Sequence, residues 1–183
     1  EYLIREFNSP KLAILSRGYK RKTKDFLIAK NKHTAYEIGD ETSQMLHSNP
    51  NLLIAVSRNR VSGVENLIKH NKNIKTIILD DAHQHRKLAR DCNIIVTECE
   101  KLYSKDKLFP LGNLRENRIG ARRANIIVVT KNFSKKTPVI ICYRTIEIKD
   151  KVLAPELSVS LQKFHSLFSS FENKDHLYIR NIV

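Results

Sequence analysis

The stretch Thr76-Ile-Ile-Leu-Asp-Asp-Ala-His-Gln-His-Arg86 changes from a buried-strand signal to a dense polar cluster within two residues. Ile77, Ile78 and Leu79 run apolar without alternation, which is how a strand covered on both faces of a parallel sheet reads. Asp80 and Asp81 then fall at its carboxyl end, where open α/β sheets place their ligands. Two adjacent carboxylates there suit a hard divalent cation such as Mg²⁺, which takes oxygen ligands and is often shared with substrate phosphates. The same residues also read as a plain Asp-rich turn in which Asp81 caps a following helix. His83 and His85 would project to one side of an extended segment. With no third nitrogen or sulfur ligand nearby, they fit hydrogen-bonding or packing roles better than a zinc site.

Outward from this stretch lie five more short apolar runs: Lys11 to Leu15, Leu52 to Val56, Asn93 to Thr97, Asn125 to Val129 and Val139 to Tyr143. Between two of them, Arg58 to His70 keeps Val61, Val64, Leu67 and Ile68 at helical spacing. Strands alternating with helical or loop-rich segments predict an α/β fold. Its sheet is mostly parallel, and right-handed crossovers place helices on both faces. Glu1 to Phe7 reads as the end of a helix stopped by Asn8-Ser9-Pro10, and Leu108 to Glu116 as an irregular linker into a basic helix. Beyond Lys149 the pattern blurs: Leu153 to Phe171 fits an amphipathic helix, and Glu172 to Val183 fits nothing firmly. The expected organisation is a core over 1–149 and a C-terminal segment over 150–183.

Charge narrows the function classes. The 183 residues hold 33 Lys and Arg against 19 Asp and Glu, a net charge of +14, which calls for an anionic partner: nucleic acid, a phosphorylated ligand or an acidic membrane surface. Arg17, Lys20, Arg21, Lys22 and Lys24 form one cluster and Arg115, Arg118, Arg122 and Arg123 another, although either also reads as a solvated basic face. Aromatic residues are not interleaved with these clusters as stacking platforms require, so no nucleic-acid partner is expected. No apolar run approaches the roughly 18 residues of a membrane span, which makes any membrane contact by these residues peripheral. Cys92, Cys99 and Cys142 are odd in number and lack a Cys-x-x-Cys spacing, which fits reduced core thiols.

A second acidic pair, Asp40-Glu41, follows Gly39 and opens the helical pattern Thr42 to Leu46. At a helix N-terminus such a pair is commonly only a cap favoured by the dipole. Ser16 to Thr23 is a basic loop that Gly18 can bend, fit for a phosphate contact, but the Gly-x-x-x-x-Gly-Lys-Ser/Thr spacing of a Walker A loop occurs nowhere. Ser16 also lacks the Gly-x-Ser-x-Gly elbow of a hydrolase nucleophile. Two acidic pairs converging on one sheet edge, with basic loops beside them, suit metal-assisted phosphoryl transfer. Carboxylates hold Mg²⁺, Arg and Lys neutralise phosphates, and one carboxylate deprotonates the attacking hydroxyl.

Ala13-Ile-Leu-Ser-Arg-Gly-Tyr19, Gly39-Asp-Glu41, Ile78-Leu-Asp-Asp-Ala-His-Gln-His-Arg86 and Leu108-Phe-Pro-Leu-Gly-Asn-Leu-Arg-Glu116, in that order, resemble the tetraacyldisaccharide 4'-kinase family of lipid A biosynthesis over about residues 1–131. The resemblance implies a P-loop NTPase-like fold. It further implies ATP- and Mg²⁺-dependent phosphorylation of the 4'-hydroxyl of tetraacyldisaccharide 1-phosphate at the cytoplasmic face of the bacterial inner membrane. Carried onto this sequence, it makes Asp40 the catalytic base, Glu41 its metal-associated neighbour, and Asp80 and Asp81 a Walker B-like metal-binding pair. Arg115 becomes a phosphate contact at the site edge, and Arg17 a member of the nucleotide-facing Ser-Arg-Gly-Tyr loop. In the family an anchoring segment and a P-loop precede the helix that ends near Phe7, so the expectation is a core lacking its P-loop, with poor ATP binding and negligible activity alone. The family's C-terminal lobe supplies an Asp-His-His segment whose histidine pairs with the base, and Asp175-His176 is the counterpart here. The alternative class is a non-catalytic domain binding anionic lipid or nucleic acid, with the acidic pairs serving as caps.

Overall fold

The computed structural model describes residues 10–98 and 100–130, and the backbone of short strands between 139 and 182. In chain order the elements are β1 Leu12–Ser16, β2 Leu27–Ile28, α1 Ala35–Ile38, α2 Asp40–Ser48, β3 Leu53–Val56, α3 Arg60–His70, β4 Thr76–Asp80, β5 Cys92–Glu98, a 3-10 helix Arg118–Arg123, β6 Ile126–Thr130, β7 Val139–Cys142, β8 Glu147–Ile148, β9 Lys151–Val152, β10 Ser158–Val159 and β11 Tyr178–Ile182. They fall into two compact units, Glu1–Asp91 with Asp175–Ile182, and Cys92–Lys174 with Val183. The helix expected at Glu1 to Phe7 and the boundary expected at 149/150 lie outside the described residues.

In the first unit the strand order is β11-β4-β1-β3-β2, with every pair parallel except the short edge strand β2. Although the strands read as unbroken apolar runs, their side chains alternate between two cores. Leu12 and Ile14 join Ile54, Val56 and Ile78 under Ile38 of α1 and Leu46 of α2. Ala13 and Leu15 join Ala55, Ile77 and Leu79 under Val64 and Leu67 of α3. Helices thus cover both faces, as the apolar runs require. Each fully buried Ile or Leu contributes roughly 1.5–3 kcal/mol.

α3 begins at Arg60 because the Asn59 carboxamide oxygen accepts from Val61 N and Ser62 N, at 3.1 and 3.2 Å. It seats closely on the sheet through Gly63, where a Cβ would stand 2.9 Å from both Leu15 Cδ2 and Ser57 Cβ. The sequence periodicity places the start of this helix at Arg58, and the cap moves it by two residues.

The second unit has the order β10-β7-β6-β5. β5 and β6 run parallel, but β7 is antiparallel to β6. Only residues 131–138 separate those two strands. Eight residues are too few for a parallel crossover, which takes a dozen or more, so the Val139 run turns back as a hairpin partner. Ser158–Val159, inside the span expected to be helical, pairs antiparallel with β7, and strand pairing there overrides the amphipathic spacing; the rest of that span lies outside the described residues. β11, where the sequence has no firm pattern, pairs parallel with β4 in the first unit. Ile95, Ala124 and Ile127 form the apolar centre of the second unit with Tyr103 and Ala121 packed on it.

Candidate functional site

The carboxyl ends of β1, β3 and β4 meet at one edge of the first sheet, since all three strands are parallel and in register. There the Ser16 hydroxyl donates to Asp80 Oδ2 at 2.9 Å and accepts from Gly18 N at 3.2 Å. Gly18 turns the chain with φ 65°, and Lys20 follows at φ 61°. On its other side the same turn lies against Gly39, whose φ is 90°. A Cβ at Gly39 would stand 3.0 Å from Gly18 C, Gly18 Cα and Tyr19 O, all backbone atoms. The Ser-Arg-Gly-Tyr loop is therefore clamped between Asp80 and the start of α2. Gly39 is the N-cap of α2 and Asp40 and Glu41 form its first turn, both exposed. One loop thus touches Asp80 of one acidic pair and Gly39, the residue just before the other.

A buried arginine ties the strand ends together. Arg60, only 1% exposed, donates through Nη1 to the Ser57 carbonyl and through Nη2 to the Asp80 carbonyl at 2.9 Å. Ser57 N in turn donates to Ser16 O at 3.0 Å. Burial pulls the Arg60 pKa down to about 10, against the attraction of Asp80 and Asp81, so it stays cationic at neutral pH. The sequence reading treats Arg60 only as part of a helix and misses it. Its signal is positional: an arginine one residue past an Asn cap, directly after a strand end, is aimed at the ligand edge of the sheet.

Burial pushes the Asp80 carboxyl above its ordinary range; the Ser16 bond opposes the shift, and Asp81 adds to it. Asp81 sits in the left-handed region at φ 46°. No helix follows it: residues 82–91 form turns and coil, so the capping alternative for Asp81 fails, because the chain leaves β4 through that left-handed residue. His83 is buried, and His85 is half-buried with its pKa lowered by burial and by the arginines Arg60, Arg17 and Arg90. Among the described residues no group of three or more His, Cys, Asp or Glu side chains is placed to hold a metal ion, so the two acidic pairs do not form one shared cluster. They are joined through the Ser16 to Tyr19 loop instead.

Arg17 is exposed on that loop, within electrostatic reach of Arg60 and His85. Arg21, by contrast, is buried and donates to Thr23 Oγ1 at 3.0 Å and the Lys24 carbonyl at 3.3 Å. The first basic cluster is therefore partly a structural brace rather than a uniformly solvated face. His176 lies outside the described residues.

Arg115 belongs to the second unit and is exposed. The helix after it is the 3-10 turn Arg118–Arg123 rather than an α-helix. Its Gly120 packs so closely on Glu116 that a Cβ would stand 2.7 Å from the carboxyl, and that carboxylate receives Arg123 Nη2 at 2.7 and 2.8 Å.

The family model described as tetraacyldisaccharide-1-P 4'-kinase matches residues 1–173. A tetraacyldisaccharide 4'-kinase from Parabacteroides distasonis is 48% identical over 134 residues, covering 72% of this chain and 36% of that protein. Another from Flavobacterium psychrophilum is 37% identical over 184 residues, covering 99% of this chain and 51% of that protein. A crystal structure of LpxK from Aquifex aeolicus in complex with ATP superposes with a TM-score of 0.62 at 39% identity, over 70% of this chain and 41% of that one. The chain spans between about a third and a half of the length of these relatives. With a match over 173 of its 183 residues, the chain belongs to the tetraacyldisaccharide-1-P 4'-kinase family.

Proposed function

We propose that this chain serves ATP-dependent phosphorylation of the 4'-hydroxyl of tetraacyldisaccharide 1-phosphate, at the cytoplasmic face of the bacterial inner membrane. The observation that carries the reading is the Ser16-Gly18-Gly39 lock, which holds Gly39, the residue before the exposed Asp40, against the same loop that bonds the Asp80 carboxyl. Phosphoryl transfer is mostly positioning and charge stabilisation, and a rigid link between base and metal-facing acid supplies the first. Family membership supports the substrate class, and the ATP held by the Aquifex aeolicus structure supports the phosphoryl donor.

Asp40 is the base that takes the proton of the 4'-hydroxyl as that oxygen bonds to the γ-phosphorus and the bond to ADP breaks. Glu41, beside it on the first turn of α2, lies in the favourable field of the helix N-terminus. Asp80 and Asp81 offer hard oxygen donors that fit Mg²⁺, an ion that takes one or two carboxylates and completes its shell with phosphates and water. Bound there, the cation would neutralise phosphate charge. The Asp80 carboxyl, held above its ordinary pKa by burial, is easier to keep ionised beside a cation. Arg17 and Arg115 are phosphate contacts, and His176 is the partner of the base.

A chimera tests the reading: the matching residues of this chain replace those of the Parabacteroides distasonis kinase, and transfer from ATP to tetraacyldisaccharide 1-phosphate is measured. An active chimera that loses about 100-fold or more on Asp40→Ala is expected. A folded but inactive chimera would favour a non-catalytic anionic-lipid binder, and full activity in Asp40→Ala would remove Asp40 from the base role.

A further inference from the structure

Among the described residues, the second unit carries a group of exposed large apolar side chains. Leu108, Phe109 and Leu111 are 46%, 79% and 83% exposed, and Ile119 of the 3-10 helix is 64% exposed. These side chains are held out on an ordered base. Phe109 N donates to Leu114 O at 2.9 Å, Gly112 N to Leu108 O at 3.1 Å and Leu114 N to Lys107 O at 3.0 Å, which closes the loop on itself. The Asp106 carboxylate accepts from Lys107 N at 2.7 Å and Asn113 N at 3.3 Å, bracing both ends of the loop. Arg118 bonds the Ser104 carbonyl at 2.7 Å and lies within electrostatic reach of Asp106, so Ile119 stands beside the same base.

Charge selects the occupant. Residues 100–123 hold seven Lys and Arg against three Asp and Glu. Of the acids, Glu116 is taken up by Arg123 and Asp106 by the loop backbone. Lys105, Lys107, Arg115, Arg118 and Arg122 are all exposed. A protein partner with an apolar groove would satisfy the tip alone. An anionic bilayer satisfies both features, since aromatic and aliphatic side chains enter the headgroup boundary while cations remain among the lipid phosphates.

We propose that the loop Leu108 to Leu111, with Ile119 and the surrounding Lys and Arg side chains, is the surface by which this chain docks on an anionic lipid bilayer. It deepens the lipid-kinase reading by naming where the chain meets the membrane that holds its substrate. The patch is peripheral in character: among the described residues no helix is long and apolar enough to cross a membrane.

The chain contains no tryptophan, so Phe109→Trp supplies a single reporter, and Tyr36→Trp in the first unit supplies a control. Each is titrated with vesicles of phosphatidylglycerol and phosphatidylcholine, and with phosphatidylcholine alone. The expected result is a blue shift and protection from iodide quenching for Phe109→Trp on the anionic vesicles, with little change for Tyr36→Trp. Lys105→Glu and Lys107→Glu in the Phe109→Trp background should each weaken binding by roughly five-fold or more. Three results would overturn the proposal. One is no shift on anionic vesicles, and another is an equal shift at Tyr36→Trp. The third is a shift produced by a soluble alkyl phosphate or an oligonucleotide but not by vesicles, which would make the tip an acyl-chain subsite or a nucleic-acid contact. None of these readouts involves phosphoryl transfer, so failure here leaves the kinase reading standing, and an inactive chimera leaves the vesicle result interpretable.

Discussion

The strand-end edge of the first unit and the 104–119 loop of the second invert the usual rule in opposite directions. At the edge, polar groups are buried: Ser16, Ser57 and Arg60 are each under 5% exposed, and Asp80 bonds inward. At the loop, large apolar groups are exposed on a base closed by its own backbone. Burying charge costs free energy unless every group is partnered, and exposing apolar surface forgoes burial without helping the fold. The difference indicates two kinds of work. The edge gives up stability to fix charge in place, and the loop gives up burial to meet something outside the chain.

Removing the central charge of the edge breaks the comparison most directly. Arg60→Ala leaves the Ser57 and Asp80 carbonyls without their donor and Asp80 and Asp81 without their buried cation. A loss of about 3–5 kcal/mol is expected in urea denaturation, the range for breaking a buried charged network from one side. A loss under about 1 kcal/mol would show that Arg60 is no more than a surface-like ion pair. Arg60→Lys should recover only part of the loss, because one ammonium cannot reproduce the two-pronged donation.

Next is the backbone clamp. Gly39→Ala puts a methyl group 3.0 Å from three backbone atoms at a φ of 90°, and neither the clash nor the conformation relaxes cheaply. About 1–3 kcal/mol of destabilisation is expected, and in the chimera kcat should fall more than stability alone explains, since the base moves relative to Asp80. Equal stability of Gly39→Ala and wild type would show that the loop is not clamped.

The contrast also explains what the sequence reveals. Three of the four parallel strands of the first unit are legible because Ile14, Ile54 and Ile77 belong to unbroken apolar runs, which only a doubly covered strand tolerates. The acidic pairs are legible from their places after a strand and before a helix. Arg60 is not, because an arginine in a helix has no period-based signature of burial, and its role exists only once Ser57 and Asp80 are neighbours in space. The hairpin reversal at β7 follows from the length of its connection, which a reading of strand types alone overlooks. β2, with two residues, is too short to register as a pattern at all. The exposed loop is visible in sequence as Leu-Phe-Pro-Leu, but apolar residues in a linker read as packing until their exposure is known.

A smaller effect concerns the ionisation of Asp80. Its folded pKa is raised, chiefly by burial, so between its unfolded value near 3.8 and that higher folded value the native state binds more protons than the unfolded one. Stability contributed by this group is therefore greatest below the unfolded value and declines as pH rises through the folded one. Asp80→Asn keeps an acceptor for the Ser16 hydroxyl and removes the charge. At neutral pH it should gain less than about 1 kcal/mol, with Arg60 losing one of its two acidic neighbours as an offset. Thermal melts at pH 7 and pH 3 are the check: the gain should shrink toward zero at the lower pH, and a gain that persists there would trace to packing instead of charge.

The smallest expected stability effect is on the other side of the comparison. Leu111→Ser with Ile119→Ser removes two branched apolar side chains, a change that inside either core of the first unit would cost several kcal/mol. At 83% and 64% exposure there is little buried area to lose, so the double variant should melt within about 0.5 kcal/mol of wild type. The same variant should bind anionic vesicles far more weakly. Unchanged stability with lost vesicle binding separates a surface kept for a partner from one that packs within the chain. A loss of 2 kcal/mol or more would instead mean that these side chains are buried in solution and that the loop, like the strand-end edge, serves the fold first.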